Sequence, residues 1–310
     1  MARRCVRILD LRPAPLSGNR LLKRAAFLSC AGAALIGMPA VAASLSGRIG
    51  SIARALPGVL GVYARTLAEG PPLATYNASE RFPTASIIKV LIMTTAYALD
   101  EAHPGVLKEK IAFQTDDLIG GSDFMANARD GQRFTVRELL VPMITVSDNT
   151  AANLLIGHFG VATINEIGAR AGMTRTHLAR RFLDYTAIAR HNDNLSTPAD
   201  MGRLLYLIEH GAREGVPTIV SSEHCVAMLD IMLRQTDRDA IPAALPPHVA
   251  VANKTGEIEG TRNDIAVVSP FGDSPFILVV MTKDAYDYGA SYAAIHAVTR
   301  AVYASVSRLA

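Results

Sequence analysis

The stretch Phe82-Pro-Thr-Ala-Ser86-Ile-Ile-Lys89-Val-Leu-Ile-Met93 constrains the fold of this chain more than any other. Ile87, Ile88, Val90, Leu91 and Ile92 leave no polar stripe, so a helix here belongs inside a domain rather than on its surface. Pro83 and Thr84 read as helix-start signals, because a proline in the first turn gives up no hydrogen bond and a threonine oxygen can cap a free N–H. Ser86 then falls in or near the first turn, and Lys89, three residues on, shares its face. A serine hydroxyl becomes a nucleophile when a base takes its proton, and a lysine partly desolvated at the edge of a core can be that base. The helix N-terminus adds N–H groups and positive potential where an oxyanion would form. The pair also has an ordinary reading, a helix cap beside a solvated lysine, so the rest of the chain has to decide between them.

The two ends of the chain have sheet character. Ser44 to Leu56 fits a helix ended by Pro57-Gly58, Val59 to Leu67 has strand composition, Glu69-Gly-Pro-Pro72 is a turn, and Leu73 to Tyr76 reads as a returning strand. At the far end Val249–Ala252, Ile265–Val268 and Phe276–Met281 are strand-like, and Tyr292 to Leu309 has helical periodicity. Between Lys110 and Leu245 period-two patterning almost vanishes and helical runs take over: Val136–Met143, Thr150–His158, Val161–Ala171, Pro198–Gly211 and Ser222–Leu233. The expected architecture is therefore α/β: an antiparallel sheet flanked by helices, built from 44–80 and 246–310, with an inserted all-helical subdomain over 81–245. A cleft between two such parts is a common place for a small-molecule site.

Charge excludes one class of function. Residues 1–43 hold seven basic side chains (Arg3, Arg4, Arg7, Arg12, Arg20, Lys23, Arg24) against Asp10; removing them from the 31 basic and 28 acidic residues leaves 24 and 27. The remaining net charge of −3 offers no nucleic-acid-binding surface. Those first residues read as an export leader: a basic stretch ending in Lys23-Arg24, an apolar run from Ala25 to Ala40, and Val41-Ala-Ala43 as a small-residue cleavage site. An uncleaved anchor is the alternative, disfavoured because the run is short and rich in Ala and Gly. The leader implies an exported, periplasmic or secreted chain starting near Ser44, with no membrane contact once the leader is gone. Cys5 and Cys30 leave with it, so Cys225 has no internal disulfide partner. Scattered histidines without ligand spacing argue against a metal site, and no glycine-rich phosphate loop is present.

Two further motifs follow Ser86-x-x-Lys89. Val146-Ser147-Asp148-Asn149 precedes a helical run, where Ser147 or Asp148 could simply cap it. Lys254-Thr255-Gly256 precedes Gly260-Thr-Arg262-Asn-Asp, which could simply be a strand, a turn and its partner. Together, in this order, the three motifs resemble those of the class A serine β-lactamases and their penicillin-binding relatives, over essentially all of Ser44 to Ala310. The resemblance implies roles. Ser86 would attack the lactam carbonyl with Lys89 as proton acceptor or relay, and the backbone N–H groups of Ser86 and Glu257 would form the oxyanion hole. Ser147 would pass a proton to the departing nitrogen, aided by Lys254. Asn149 would bind the substrate's side-chain amide, Thr255 and Arg262 would hold its carboxylate, and Gly256 would also belong to the substrate-binding set. It also implies a monomer acting on a small-molecule β-lactam or peptidoglycan-like substrate, with no cofactor.

One segment departs from the family. Class A enzymes activate the hydrolytic water with a glutamate in a loop ahead of the Thr-Pro that opens the next helix. Here that loop reads Leu178-Ala-Arg-Arg181-Phe182-Leu-Asp184-Tyr-Thr before Thr197-Pro198, and arginine or phenylalanine fills the glutamate's slot. Glu166 lies earlier, inside a helical run, and reads as solvated. Asp184 is the nearest acid, either as a deacylation base or, the favoured reading, as a partner of Arg180 or Arg181 that pins the loop. Three functions stay open on the sequence: a serine β-lactamase, a penicillin-binding carboxypeptidase or transpeptidase with slow deacylation, and a non-catalytic binding module of the same fold.

Overall fold

A computed structural model describes the backbone of residues 38–309 and side-chain surroundings from Leu45 onward. The leader expected over 1–43 lies outside the described residues as far as 37; Met38 opens helix α1 (Met38–Ala55). In chain order there follow β1 (Val59–Thr66), β2 (Ala74–Tyr76), β3 (Phe82–Pro83), the 3-10 turn Ala85–Ile88, α2 (Lys89–Ala102), β4 (Lys110–Ala112), β5 (Arg133–Thr135), α3 (Val136–Thr145) and α4 (Asn149–Phe159). Then come α5 (Val161–Arg170), α6 (Tyr185–Ala189), β6 (Leu195–Ser196), α7 (Pro198–Glu214), α8 (Ser222–Leu233), β7 (Val251–Ile258), β8 (Thr261–Val268), β9 (Phe276–Lys283) and α9 (Tyr288–Val306).

The two chain ends make one antiparallel sheet in the order β2-β1-β9-β8-β7. It closes where β1 pairs with β9 along its whole length, Val59 opposite Lys283 and Thr66 opposite Phe276. Strand β9 is central and buried on both faces, which is why Phe276 to Met281 reads as an unbroken apolar run. On one face α1 and α9 cover Val62, Val251, Val268, Leu278 and Val280; on the other the helical part packs on Ala252, Ile265, Val267 and Val279. Successive residues of β7 therefore point to opposite layers. The approach of β1 to its neighbours needs Gly58, where a Cβ would lie 2.7 Å from that of Ala285.

The insertion is built around α2, whose residues Lys89 to Ala98 are all buried, as the absence of a polar stripe predicts. It also holds two ladders too short to show alternation, β3 with β6 and β4 with β5. The first corrects the helix-start reading of Pro83 and Thr84. Pro83 pairs with Leu195, and the Thr84 backbone N–H and hydroxyl both donate to the Asn194 carbonyl, at 2.9 and 3.2 Å. With its hydroxyl so occupied Thr84 caps nothing, and the α-helix proper starts at Lys89, after the 3-10 turn that holds Ser86.

Candidate active site

The Ser86 turn is clamped from the sheet side. Gly256 of β7 lies so close that a Cβ would sit 2.9 Å from the Ser86 nitrogen and 2.8 Å from the Thr84 carbonyl oxygen. Only a glycine allows the strand to run against the turn there. Asn263 of β8 ties the same turn down: Nδ2 donates to the carbonyls of Pro83 (2.8 Å) and Thr84 (3.2 Å), while Oδ1 accepts from the Thr282 N–H (3.0 Å). Ala85, just before the serine, is held at φ +45°, a conformation that costs a non-glycine residue free energy and persists only when its surroundings enforce it. Ser86 is half-buried at the lip of the site.

Four polar side chains meet beside it, though the Ser86 hydroxyl makes no hydrogen bond to them among the described residues. Lys89 Nζ donates to the Ser147 carbonyl (2.7 Å), the Ser147 hydroxyl (3.2 Å) and Asn149 Oδ1 (2.7 Å). Lys254 Nζ donates to the same Ser147 hydroxyl (3.1 Å) and to the Thr255 carbonyl (2.7 Å). Ser147 thus lies between two buried amines. It is delivered there by a strained residue position, φ +58°, between α3 and α4. Asp148 stabilises that position: its fully buried carboxylate caps α4 through the Ala151 N–H (2.8 Å) and accepts the Met125 N–H (2.9 Å). Asn149 donates to the Gly120 carbonyl (2.9 Å), joining the cluster to the loop that precedes Asp123.

Both lysines are fully buried, and burial sets their protonation. Desolvation, then the charge of Lys254, hold the Lys89 amine well below the usual lysine range, against an opposing pull from Asp148. Lys254 is lowered to about 8 by desolvation, opposed by Asp264 and Asp237. Burial therefore eases proton loss from both amines, and the Ser147 hydroxyl that bridges them can carry a proton between a reacting nitrogen and Lys89.

Arg262 sits apart from this cluster. It belongs to the sheet face under α9, with Nη1 donating to the carbonyls of Ile258 (3.1 Å) and Thr261 (2.9 Å), its guanidinium 3.6 Å from the centre of the Tyr288 ring, and Nη2 ion-paired with Glu257. Thr255 and Glu257 alternate with Lys254 and Gly256 along β7, so they turn to the Arg262 side.

The loop from Leu178 to Asn194 is held by asparagines. Asn165 brackets Leu178 (2.8 and 2.9 Å), Asn153 brackets Phe182 (2.8 and 3.1 Å), and Asn194 Oδ1 accepts from Ala179 and Arg180 (2.8 and 3.0 Å). The slot is thereby resolved: Phe182 faces the site, its ring centre 4.3 Å from Lys89 Nζ. The pairing expected of Asp184 does not form. Arg180 bonds Asp193 instead (2.6 Å), because that carboxylate lies beside its guanidinium at the loop's other end. The exposed Asp184 carboxylate caps α6 through the Ala187 N–H (2.9 Å).

Comparison with known proteins gives the family. A model of the family described as "Beta-lactamase enzyme family" matches residues 44–306. The chain belongs to the β-lactamase enzyme family. It is similar to the carbapenem-hydrolysing β-lactamase KPC of Klebsiella oxytoca, 30% identical over 269 residues that cover 85% of this chain and 89% of that protein. Among solved structures it resembles the β-lactamase of Burkholderia phymatum (TM-score 0.77, 25% identity, 86% of this chain and 99% of that one). It resembles PBP-A to the same degree (TM-score 0.76, 25% identity, 86% and 96%). The fold class expected from the sequence is that of these structures, and the chain is a serine β-lactamase-type hydrolase.

Of the residues singled out in the sequence, this β-lactamase-family chain gathers Lys89, Ser147, Asn149 and Lys254 through hydrogen bonds and brings Gly256 against the Ser86 turn. It places Arg262 beside Glu257 on the Thr255 side of β7, outside that hydrogen-bonded cluster, and leaves Asp184 as a helix cap. Sequence reasoning missed Asn263, whose strand context hid a side chain aimed at the turn. It also missed Asp264, which is fully buried, accepts the Ile241 N–H (2.9 Å) and an Asn253 amide (3.1 Å), and is pushed up to about 7 by desolvation. An Asn-Asp pair leading straight into the apolar run Ile265–Val268 was the available signal. Among the described residues no His, Cys, Asp and Glu cluster could hold a metal ion, and no helix is long and apolar enough to cross a membrane.

Proposed function

We propose that this enzyme opens β-lactam rings through an ester on Ser86 and releases that ester slowly. Ser86 Oγ bonds to the lactam carbonyl carbon as its proton passes to the neutral Lys89 amine, and the N–H groups of Ser86 and Glu257 hold the developing oxyanion. The C–N bond then breaks. The leaving nitrogen takes the Ser147 proton, which Lys89 replaces, so the net movement is one proton from Ser86 to the nitrogen. Lys254 stays charged and favours the anionic stages, Asn149 contacts the substrate's amide, and Thr255 with Arg262 receives its carboxylate. The observation that carries this reading is the Ser147 hydroxyl, hydrogen-bonded at once to Lys89 (3.2 Å) and Lys254 (3.1 Å).

Hydrolysis of the ester needs a base for water. Asp184, exposed and engaged as a cap, is poorly suited, and Phe182 offers an apolar ring where a carboxylate would serve. That ring favours a second reading, a penicillin-binding peptidase of the same chemistry. Intact-mass spectra over time after penicillin addition test both: the expected result is one adduct, absent in Ser86→Ala, decaying over minutes or longer. Release of D-alanine from stem-peptide mimics would move the assignment to the peptidase. No adduct on the wild type would overturn the acylation reading altogether. The basic-then-apolar leader supports an exported, periplasmic or secreted enzyme, and we take it to act as a monomer; fractionation and light scattering test these two points.

A further inference from the structure

The residue after Lys-Thr-Gly is acidic, and its carboxylate lies on the arginine expected to receive the substrate. Glu257 and Arg262 are directly opposed across β7 and β8, and Glu257 Oε1 is ion-paired with Arg262 Nη2. The two partners are held very differently. The Arg262 side chain is 7% exposed, fixed by two backbone carbonyls and the Tyr288 ring; that of Glu257 is 54% exposed, and the ion pair is its one polar contact among the described residues. Buried Arg262 Nε has no hydrogen-bond partner in the described structure. The guanidinium thus keeps its place whether or not Glu257 sits on it, whereas Glu257 can turn out into solvent. A preorganised cation covered by an exchangeable carboxylate of the chain itself is a recognition site already filled.

We propose that Glu257 is a specificity-determining residue, occupying Arg262 as a substrate carboxylate would and so favouring acyl substrates that carry a neutral or cationic group at that position. This rests on the acylation reading above and on Arg262 receiving the substrate's carboxylate end. A carboxylate substrate must displace Glu257 and then bind beside a second negative charge, a penalty that an ester or amine in the same place escapes.

The test measures the second-order acylation rate of Ser86 by a penicillin and by its methyl ester, in the wild type, Glu257→Gln and Glu257→Ala. The readout is the acid-to-ester ratio, which cancels any general effect of the substitution on the oxyanion hole. We expect the ratio to rise about tenfold in both variants. The alanine variant keeps the test open should the glutamine variant fail to fold. In Arg262→Gln, which removes the group being contested, the ratio should fall. An unchanged or lower ratio in both Glu257 variants, with normal labelling of Ser86, overturns this inference alone. Absence of labelling by either compound in the wild type overturns the acylation reading beneath it.

Discussion

The half of the site that would form the ester and the half that would hydrolyse it are built from different materials. On the acylation side every polar group issues from, or is fixed by, core structure: Lys89 from α2, Lys254 from β7, and Ser147 held by the buried Asp148. On the hydrolysis side stands a loop pinned by side-chain amides, presenting the Phe182 ring inward and the Asp184 carboxylate outward. One half is preorganised for proton transfer, which is costly to assemble and therefore informative when found. The other is also held by hydrogen bonds, but among the described residues it turns an apolar ring, not a carboxylate, toward Lys89. The contrast teaches that order alone does not make a catalytic step. A group with the right protonation state has to face the right atom.

The largest expected effect lies on the acylation side. In the proposed mechanism Lys89→Met removes the base and leaves Ser147 with one amine; the rate of Ser86 acylation should fall about 10³-fold, within the range typical of general-base catalysis. Ser147→Ala should cost about 10²-fold, because the leaving nitrogen loses its proton route while the nucleophile keeps its base. Both are read by stopped-flow acylation, and a loss under tenfold in either would remove that residue from the proton path.

Phe182→Glu works in the opposite direction. It puts a carboxylate within reach of the Lys89 amine, and decay of the Ser86 adduct should speed about tenfold or more while acylation changes little. A persistent adduct would mean that geometry beyond this one side chain limits hydrolysis. The substitution sharpens the comparison because it gives the second half the one thing it lacks.

The pH dependence follows from the two amines. Lys89 must be neutral to accept a proton, and its lowered pKa makes it available well below the ordinary lysine range. Lys254 must be charged, and its pKa of about 8 sets a falling limb near that pH. Acylation should therefore decline by about tenfold or more between about pH 8 and 9.5 in the wild type, with Lys254→Arg moving the decline to higher pH. Stability runs the other way. A lysine whose folded pKa lies below its unfolded value binds fewer protons in the fold, so its penalty is complete below about 8 and is relieved as pH rises toward 10.5. Chemical denaturation at pH 7.5 and 10 would check the sign by comparing the wild type with Lys254→Met.

How much of this was readable in the chain depends on whether the signal was local. The buried axis α2 was legible because five apolar residues in six positions can only be covered by protein, and the helix boundaries of α8 and α4 followed from period and caps. The sheet was legible from composition at both ends. What the sequence hid were side chains whose partners lie far along the chain: Asn263 on the Ser86 turn, Glu257 on Arg262, and Arg180 on Asp193 instead of Asp184. Proximity in sequence favoured Asp184 for Arg180, yet the loop doubles back through Asn194 and brings Asp193 closer. The start of α2 was misread for the same reason, since Thr84 is consumed by a carbonyl 110 residues away.

The smallest effect is expected at Asp184, where the comparison between the two halves can be broken most directly. Its carboxylate accepts the Ala187 N–H at the head of a five-residue helix on the loop surface, so Asp184→Ala should fray α6 by about 1 kcal/mol, a typical loss for a cap. Faster hydrogen exchange at Ala187 would report it. Adduct decay should stay within about twofold of the wild type, because in this reading the carboxylate touches no reacting atom. If decay instead slows tenfold while Asp184→Asn, which keeps a capping oxygen, slows it equally, the charge and not the cap is what matters. Asp184 would then be the water's base, reached by a loop movement, and the hydrolytic half would be complete after all.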